Sequence, residues 1–422
     1  MSSTPTVPAL ESSLIRQHTF PNGLVLVGES MPGVQSAAFT LLLPAGTAFE
    51  PADRPGASSM LTEWITRGAG ELDSRELLSA LDNLGVNHAE SSHTLHASIS
   101  AATLGRNLIA ALELFADVVL RPLFDDEEVE SIRALALQNL RSLDDEPARK
   151  AILELRHRHF PDPWGRPSPG TFEGVSAVTP DELRALHGRT FRPNGAILGV
   201  AGAIDWPTLR DAVGRLFGDW QPQAEPALQE RASGPNRDHV QKETQQTQIA
   251  LAYPAAPVPH DDYYRALAAT SILGGYSSSR LFTEVREKRA LCYSVQSSYL
   301  SLNDRAAVVC YAGSAPDRAQ ETLDVTLAEI DRLAREGVTS EELETMRAGL
   351  KSSLIMQQES SMGRSSSLAS DWFYLRRVRP LAEVSAALDA LTPASISGYA
   401  AGQDFSAMTI LTLGPAALKF PS

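Results

Sequence analysis

Hydrophobic and polar positions change period several times along this chain, and the changes come twice in the same order. AAFTLLLPAG alternates and then turns apolar, which predicts a strand. GASSMLTEWITRG and SRELLSALDNLG follow with helical spacing, and HAESSHTLHASISA returns to period two, predicting another strand. Further on, QTQIALAYPA predicts a strand, DDYYRALAATSIL and SRLFTEVREKR two helices, and LCYSVQSSYLSL the next strand. Late in each half a helix runs into a β-rich stretch: LRALHGRTFRPNGAILGVAGAI, then ISGYAAGQDFSAMTILTLGP. The repeat is one of pattern, not of letters.

Long amphipathic helices lie between these landmarks. RNLIAALELFADVVL puts Leu108, Ile109, Leu112, Phe115 and Val119 on one face, as a core-facing helix requires. DDEEVESIRALALQNLRSL does the same with Val129, Ile132, Ala136 and Leu140 behind an acidic start that suits a helix N-terminus. TSEELETMRAGLKSSLIMQQES is the second-half counterpart. Strands followed by runs of helices predict an α+β fold of two similar halves, each a mainly antiparallel sheet with helices packed on one face. QPQAEPALQERASGPNR, 221–237, is rich in Pro, Gln, Glu and Ala without periodicity and reads as a linker between halves 17–220 and 238–422. Residues 1–16 read as a disordered lead-in.

Composition narrows the picture. At 422 residues, with 43% hydrophobic residues and a mean hydropathy of −0.14, the chain has the make-up of a soluble protein with a large interior. No apolar run approaches the roughly 18 residues of a membrane span, and the start lacks the basic and apolar regions of a signal peptide. Two cysteines, Cys292 and Cys310, suit a reducing, cytoplasmic setting and are expected to pack unbridged in neighbouring strands. A net charge of −14 argues against nucleic acid and anionic membrane partners.

Chemistry is hard to find from the residues alone. In an extended chain His88, Glu90 and His96 share one face and His93 the other, a loose His–Glu–His set for which polar residues on a sheet face are the simpler reading. His157 and His159 fall on a helix or its last turn, where residues two apart do not face each other. No His-Glu-x-x-His, Cys-x-x-Cys or Gly-x-Ser-x-Gly motif or P-loop occurs. ILGGYSSSR is either a weak anion-site signal or a turn into a helix.

Four stretches nevertheless point to a known family. LGGYSSSRLFTEVREKRALCYSVQSSY (273–299), PWGRPSPGTFEGV (163–175), FRPNGAILGVAG (191–202) and FPNGLVLV (20–27) resemble the pitrilysin and mitochondrial-processing-peptidase family of zinc peptidases. The resemblance implies the metalloenzyme LuxS/peptidase-like architecture over nearly the whole chain. In active members the first-half helix carries His-x-x-Glu-His: two histidines one turn apart bind zinc, and the glutamate activates water. A third ligand, a glutamate, precedes an Asp-x-Pro turn. Aligned on GASSMLTEWITRG, the histidine positions hold Ser59 and Glu63, the base position holds Thr62, and counting back from Asp145-Glu146-Pro147 places Asn139 at the third ligand. This chain is therefore expected to hold no metal.

The family's second half supplies an Arg and a Tyr with six residues between them, and REKRALCY places that pair at Arg286 and Tyr293. The resemblance implies a two-chain clamshell: a zinc-bearing homologous subunit as heterodimer partner, peptide substrates, and Arg286 and Tyr293 completing the partner's site, with a homodimer as the alternative for the isolated chain. The glycine-rich insertion of the mitochondrial non-catalytic subunit is missing here. A second reading is an inactive scaffold or peptide-binding protein of the same fold. A third is an autonomous hydrolase with a relocated site at His88, His93 or His96.

Overall fold

The computed structural model describes residues 15–420. Two sheets frame it. The first runs Ile15–Thr19, Val25–Ser30, Ile197–Gly202, Ser36–Leu43, Ala97–Leu104, Asn87–Ser92, and the second Cys292–Leu302, Arg305–Ser314, Thr247–Ala255, Thr409–Gly414, Arg237–Gln241. Both follow one plan. An edge hairpin pairs with an early strand of the half, that strand pairs antiparallel with the last strand, and the last strand pairs parallel with the one that opens the half. Ile15–Thr19 is an addition to the first sheet. The repeated pattern of the sequence is thus a repeated topology.

Central strands are buried on both faces, as in SAAFTLLL and TILTLG. One face of the first sheet packs on helices of its own half through Phe39, Leu41, Trp64, Leu112 and Phe115. The other face is crossed by a helix from the opposite half. Ser361–Leu375 lays Leu368 and Ala369 on Val25, Val27, Leu42, Ile197 and Ala201. In return Pro147–His159 lays Ala151 and Leu155 on Ala250, Ala252, Leu411 and Leu413 of the second sheet. Gly199 permits the first crossing, because a Cβ there would collide with the Ser365 carbonyl. Arg364, 3% exposed, adds an ion pair to Glu29 at 2.5 Å. Each half therefore seals the other's sheet.

Three sequence expectations change. The strand Ile15–Thr19 begins inside the expected lead-in, so residues 15 and 16 are ordered structure, while 1–14 lie outside the described residues. Arg237, the last residue of the expected linker, opens a strand, and the stretch before it is tied down where Arg231 bridges Asp162 and Asn194 bonds Gln223. HAESSHTLHASISA is not one strand: the chain reverses between Ser92 and Ala97, with His93 N–H donating to the His96 carbonyl at 2.9 Å. Cys292 and Cys310 are free and sit on adjacent strands. Among the described residues no helix is long and apolar enough to cross a membrane.

Candidate functional site

The helix Ala57–Trp64 begins sharply. Gly56 has φ 105°, a conformation that favours glycine, and a Cβ there would lie 2.6 Å from a Val175 methyl. The first N–H groups of a helix lack internal partners, and here Glu50 supplies them. Its carboxylate accepts from Gly56 N–H at 3.1 Å and Ser58 N–H at 2.7 Å. Burial pushes the Glu50 carboxyl up to about 7, against those N–H donors, which act to lower it. Met60, Leu61 and Trp64 anchor the helix in the core.

The opposite face of this helix opens on a cleft of about 500 Å³, and all four motif positions line it: Ser59, Thr62 and Glu63 from this helix, Asn139 from the helix Asp126–Asp144. Ser59 and Glu63 lie one turn apart, the spacing that would let two side chains grip one ion. Their chemistry does not fit zinc. The Ser59 hydroxyl donates to the Ser168 carbonyl at 2.5 Å, and Thr62 donates to the Ser58 carbonyl at 2.8 Å. Glu63, the one anionic donor of the set, is held by Arg67 at 2.5 Å. Asn139 is exposed and offers a neutral amide. Among the described residues no group of three His, Cys, Asp or Glu side chains is placed to hold a metal ion. The cleft brings the four positions together from two helices, and their side chains make no donor set for zinc.

The turn at Ser92–Ala97 rearranges the expected histidine face. His88 pairs with Glu90 at 2.8 Å, and that hydrogen bond raises the His88 pKa. His93 and His96 instead meet each other, ring centroids 4.8 Å apart. Burial pushes His96 down to about 3, so the ring stays neutral, with Nδ1 unpartnered among the described residues. The expectation that His88, Glu90 and His96 share a face is overturned, because strict alternation stops where the strand ends. His159 bonds Thr409 at 3.0 Å and is pushed by burial to about 4; it belongs to the packing of the crossing helix.

The second-half pair sits where the backbone departs from regular geometry. Phe282–Glu287 is a π-helical turn carrying Arg286. Ala290 follows with φ 49°. The register of Cys292–Leu302 then slips between Cys292 and Ser294, leaving Tyr293 as the extra residue of a bulge. Bulges and π turns re-aim side chains. Tyr293 is 78% exposed, and the Arg286 guanidinium lies 5.5 Å from its ring centre and 4.6 Å from that of Phe282. The nearby Glu284 is taken by Lys288 and Arg289, at 2.7 and 2.6 Å. The glycines of ILGGYSSSR serve packing: a Cβ on Gly274 would lie 2.5 Å from Ser297 N, so the helix Tyr263–Gly274 reaches the strand only with glycine there.

Glu50 was not visible in the sequence. It lies in a turn, GTAFEP, and nothing in the spacing says that its carboxylate folds back on a helix start six residues later.

Comparison with known proteins agrees with the repeated architecture. A family profile described as Insulinase (Peptidase family M16) matches residues 25–162, and one described as Peptidase M16 inactive domain matches residues 177–350. An uncharacterised zinc protease of Bacillus subtilis, YmxG, is 27% identical over 392 residues, 92% of this chain and 95% of that protein. An uncharacterised zinc protease of Mycobacterium bovis is 30% identical over 360 residues, 84% of this chain and 82% of its own. Among solved structures, a peptidase M16 inactive domain from Pseudomonas fluorescens superposes with a TM-score of 0.87 at 21% identity, over 96% of this chain and 99% of that one. A protease from Helicobacter pylori gives 0.88 at 20% identity, over 95% and 99%. With both halves matched in their proper order, the chain belongs to peptidase family M16.

Proposed function

We propose that this chain is the metal-free subunit of a two-chain peptidase, a heterodimer in which a homologous zinc-bearing subunit supplies the metal and this chain supplies Arg286 and Tyr293. The observation that carries the reading is the cluster of backbone irregularities that leaves Tyr293 in solvent beside Arg286. A strained or irregular backbone persists where the surrounding fold enforces it, and such sites cluster where side chains work on ligands. In the assembled pair Arg286 offers its planar fork of donors to a substrate carbonyl or carboxylate. Tyr293 O–H donates to the oxygen on which negative charge develops at the scissile carbonyl. The substrates are peptides, and the setting is cytoplasmic.

The test is to mix the purified chain with a family M16 chain of similar length that carries His-x-x-Glu-His and to follow cleavage of a quenched fluorescent peptide. This chain alone is inactive and the mixture is active. Tyr293→Phe or Arg286→Ala lowers the kcat of the mixture by about 10²-fold, the usual cost of removing one oxyanion donor. Unchanged kcat in both variants removes the pair from the mechanism. A second reading, a catalytically inactive peptide-binding scaffold, draws on the first-half cleft, which stays open at about 500 Å³ although its donors are lost. It is favoured if no zinc-bearing partner yields an active mixture.

A further inference from the structure

The repeated topology gives the first-half cleft a counterpart. The helices Ala57–Trp64, Asp126–Asp144 and Pro147–His159 correspond in order to Tyr263–Gly274, Ser340–Glu359 and Ser361–Leu375. Between the second three lies a cleft of about 440 Å³. Its lining is mixed: Leu267, Leu350 and Leu388 beside Ser353, Gln357 and Ser370.

Two arginines line it, Arg364 and Arg379. Asp371 holds Arg379 through Nε at 3.0 Å and Nη2 at 2.6 Å, and the remaining Nη1 donates to the Tyr264 hydroxyl at 3.1 Å. Arg364 is different. Its side chain is 97% buried, its Nε donates to Glu29 at 2.5 Å, and its two terminal nitrogens have no hydrogen-bond partner among the described residues. Those two nitrogens are not sealed from solvent, so their donors stand open to an acceptor in the cleft.

What would accept is set by the charge balance. Glu29 neutralises Arg364 and Asp371 neutralises Arg379, so the cleft offers donors without net positive charge. An anion would lose its hydration beside two carboxylates and find no free cation. A neutral acceptor incurs no such cost. We propose that this cleft is a second peptide-binding site, in which Arg364 holds a backbone carbonyl of an uncharged peptide segment and the leucines take its apolar side chains. The mixed lining matches an extended peptide, which alternates carbonyls with side chains. The site goes beyond the proposed partnership: it needs neither zinc nor a second subunit, so it stands or falls on the isolated chain.

Fluorescence anisotropy of the isolated full chain with dansyl-Ala-Leu-Ala-Leu-Ala-amide tests it. The probe binds, and replacing its central residue by Glu weakens binding by about tenfold or more, equivalent to about 1.4 kcal/mol. Ser353→Trp, an exposed position on the lining, fills the cleft and weakens binding by about tenfold or more without breaking any buried pair. Arg364→Lys keeps a positive charge for Glu29, removes the free fork and weakens binding to a similar extent. Asn139→Trp, which obstructs the first-half cleft instead, leaves the affinity within about twofold. The proposal is overturned if the uncharged probe fails to bind at millimolar concentration, if the acidic probe binds as well or better, if Ser353→Trp has no effect, or if Asn139→Trp abolishes binding.

Discussion

Tyr293 is a large aromatic residue left in solvent by a bulge, and that position separates its role from stability. A side chain so exposed contributes little to the core, so Tyr293→Phe is expected to move the unfolding free energy by less than about 0.5 kcal/mol in urea titrations. A larger change would mean that the hydroxyl serves the fold. Glu50 behaves in the opposite way. Its folded pKa of about 7 stands above the ordinary carboxyl value, so between those two values the folded state holds a proton that the unfolded state has released. Stability from this group is therefore fully present below about pH 4.5 and is lost as pH rises through 7. Glu50→Gln removes the titration and should gain on the wild type by about 2 to 3 kcal/mol between pH 4.5 and 7.5, read from denaturant midpoints. A constant difference across that range would show that Glu50 is ionised throughout. At this scale the sequence was legible where a placement follows from spacing. Ser59, Thr62, Glu63 and Asn139 do meet in one cleft. It was not legible where a role follows from a loop folding back, as with Glu50, or where a turn hid inside an alternating run, as with His93 and His96.

Elements were easier to read than their junctions. Apolar patterning located the helix Ala57–Trp64, which buries Met60, Leu61 and Trp64, and the strands Ser36–Leu43 and Thr247–Ala255, whose apolar runs are buried on both faces. The hairpin at Ser92–Ala97 was missed because both of its strands keep the same polar alternation through the turn. SRLFTEVREKR reads as an ordinary helix, and only the backbone shows the π turn. Close approaches between elements rest on glycines. Gly274→Ala should cost about 1 to 3 kcal/mol, since the new methyl would meet Ser297 N at 2.5 Å and one element must yield. A fully stable alanine variant would mean that the helix end shifts freely. The first-half cleft makes a converse prediction: if two helices still hold the spacing for an ion, restoring donors should restore binding. Ser59→His, Thr62→Glu, Glu63→His and Asn139→Glu together should bind one zinc per chain by elemental analysis, while the wild type binds none in stoichiometric amount. A fourfold variant without zinc would show that the helices have moved apart.

At the scale of the whole molecule, the sequence shows two halves but not how they hold each other. A stripe of apolar residues on Pro147–His159 or Ser361–Leu375 says that the helix is covered on one side, and nothing in it says which sheet does the covering. Both helices cross to the opposite sheet, with Ala151 and Leu155 buried on one and Leu368 and Ala369 on the other. A protease cut between Gln221 and Glu230 should therefore leave a nicked protein that elutes as a single species in native gel filtration and separates only in denaturant. Separation under native conditions would deny the exchange its holding power.

The same crossing bears on origin. A lone half with its helix folded elsewhere would leave a hydrophobic β layer open to water, a surface that invites aggregation. Two identical halves that trade this helix make a closed body. Joining two such swapped copies into one polypeptide would give the present arrangement directly, and each copy would then be free to lose what the other retained.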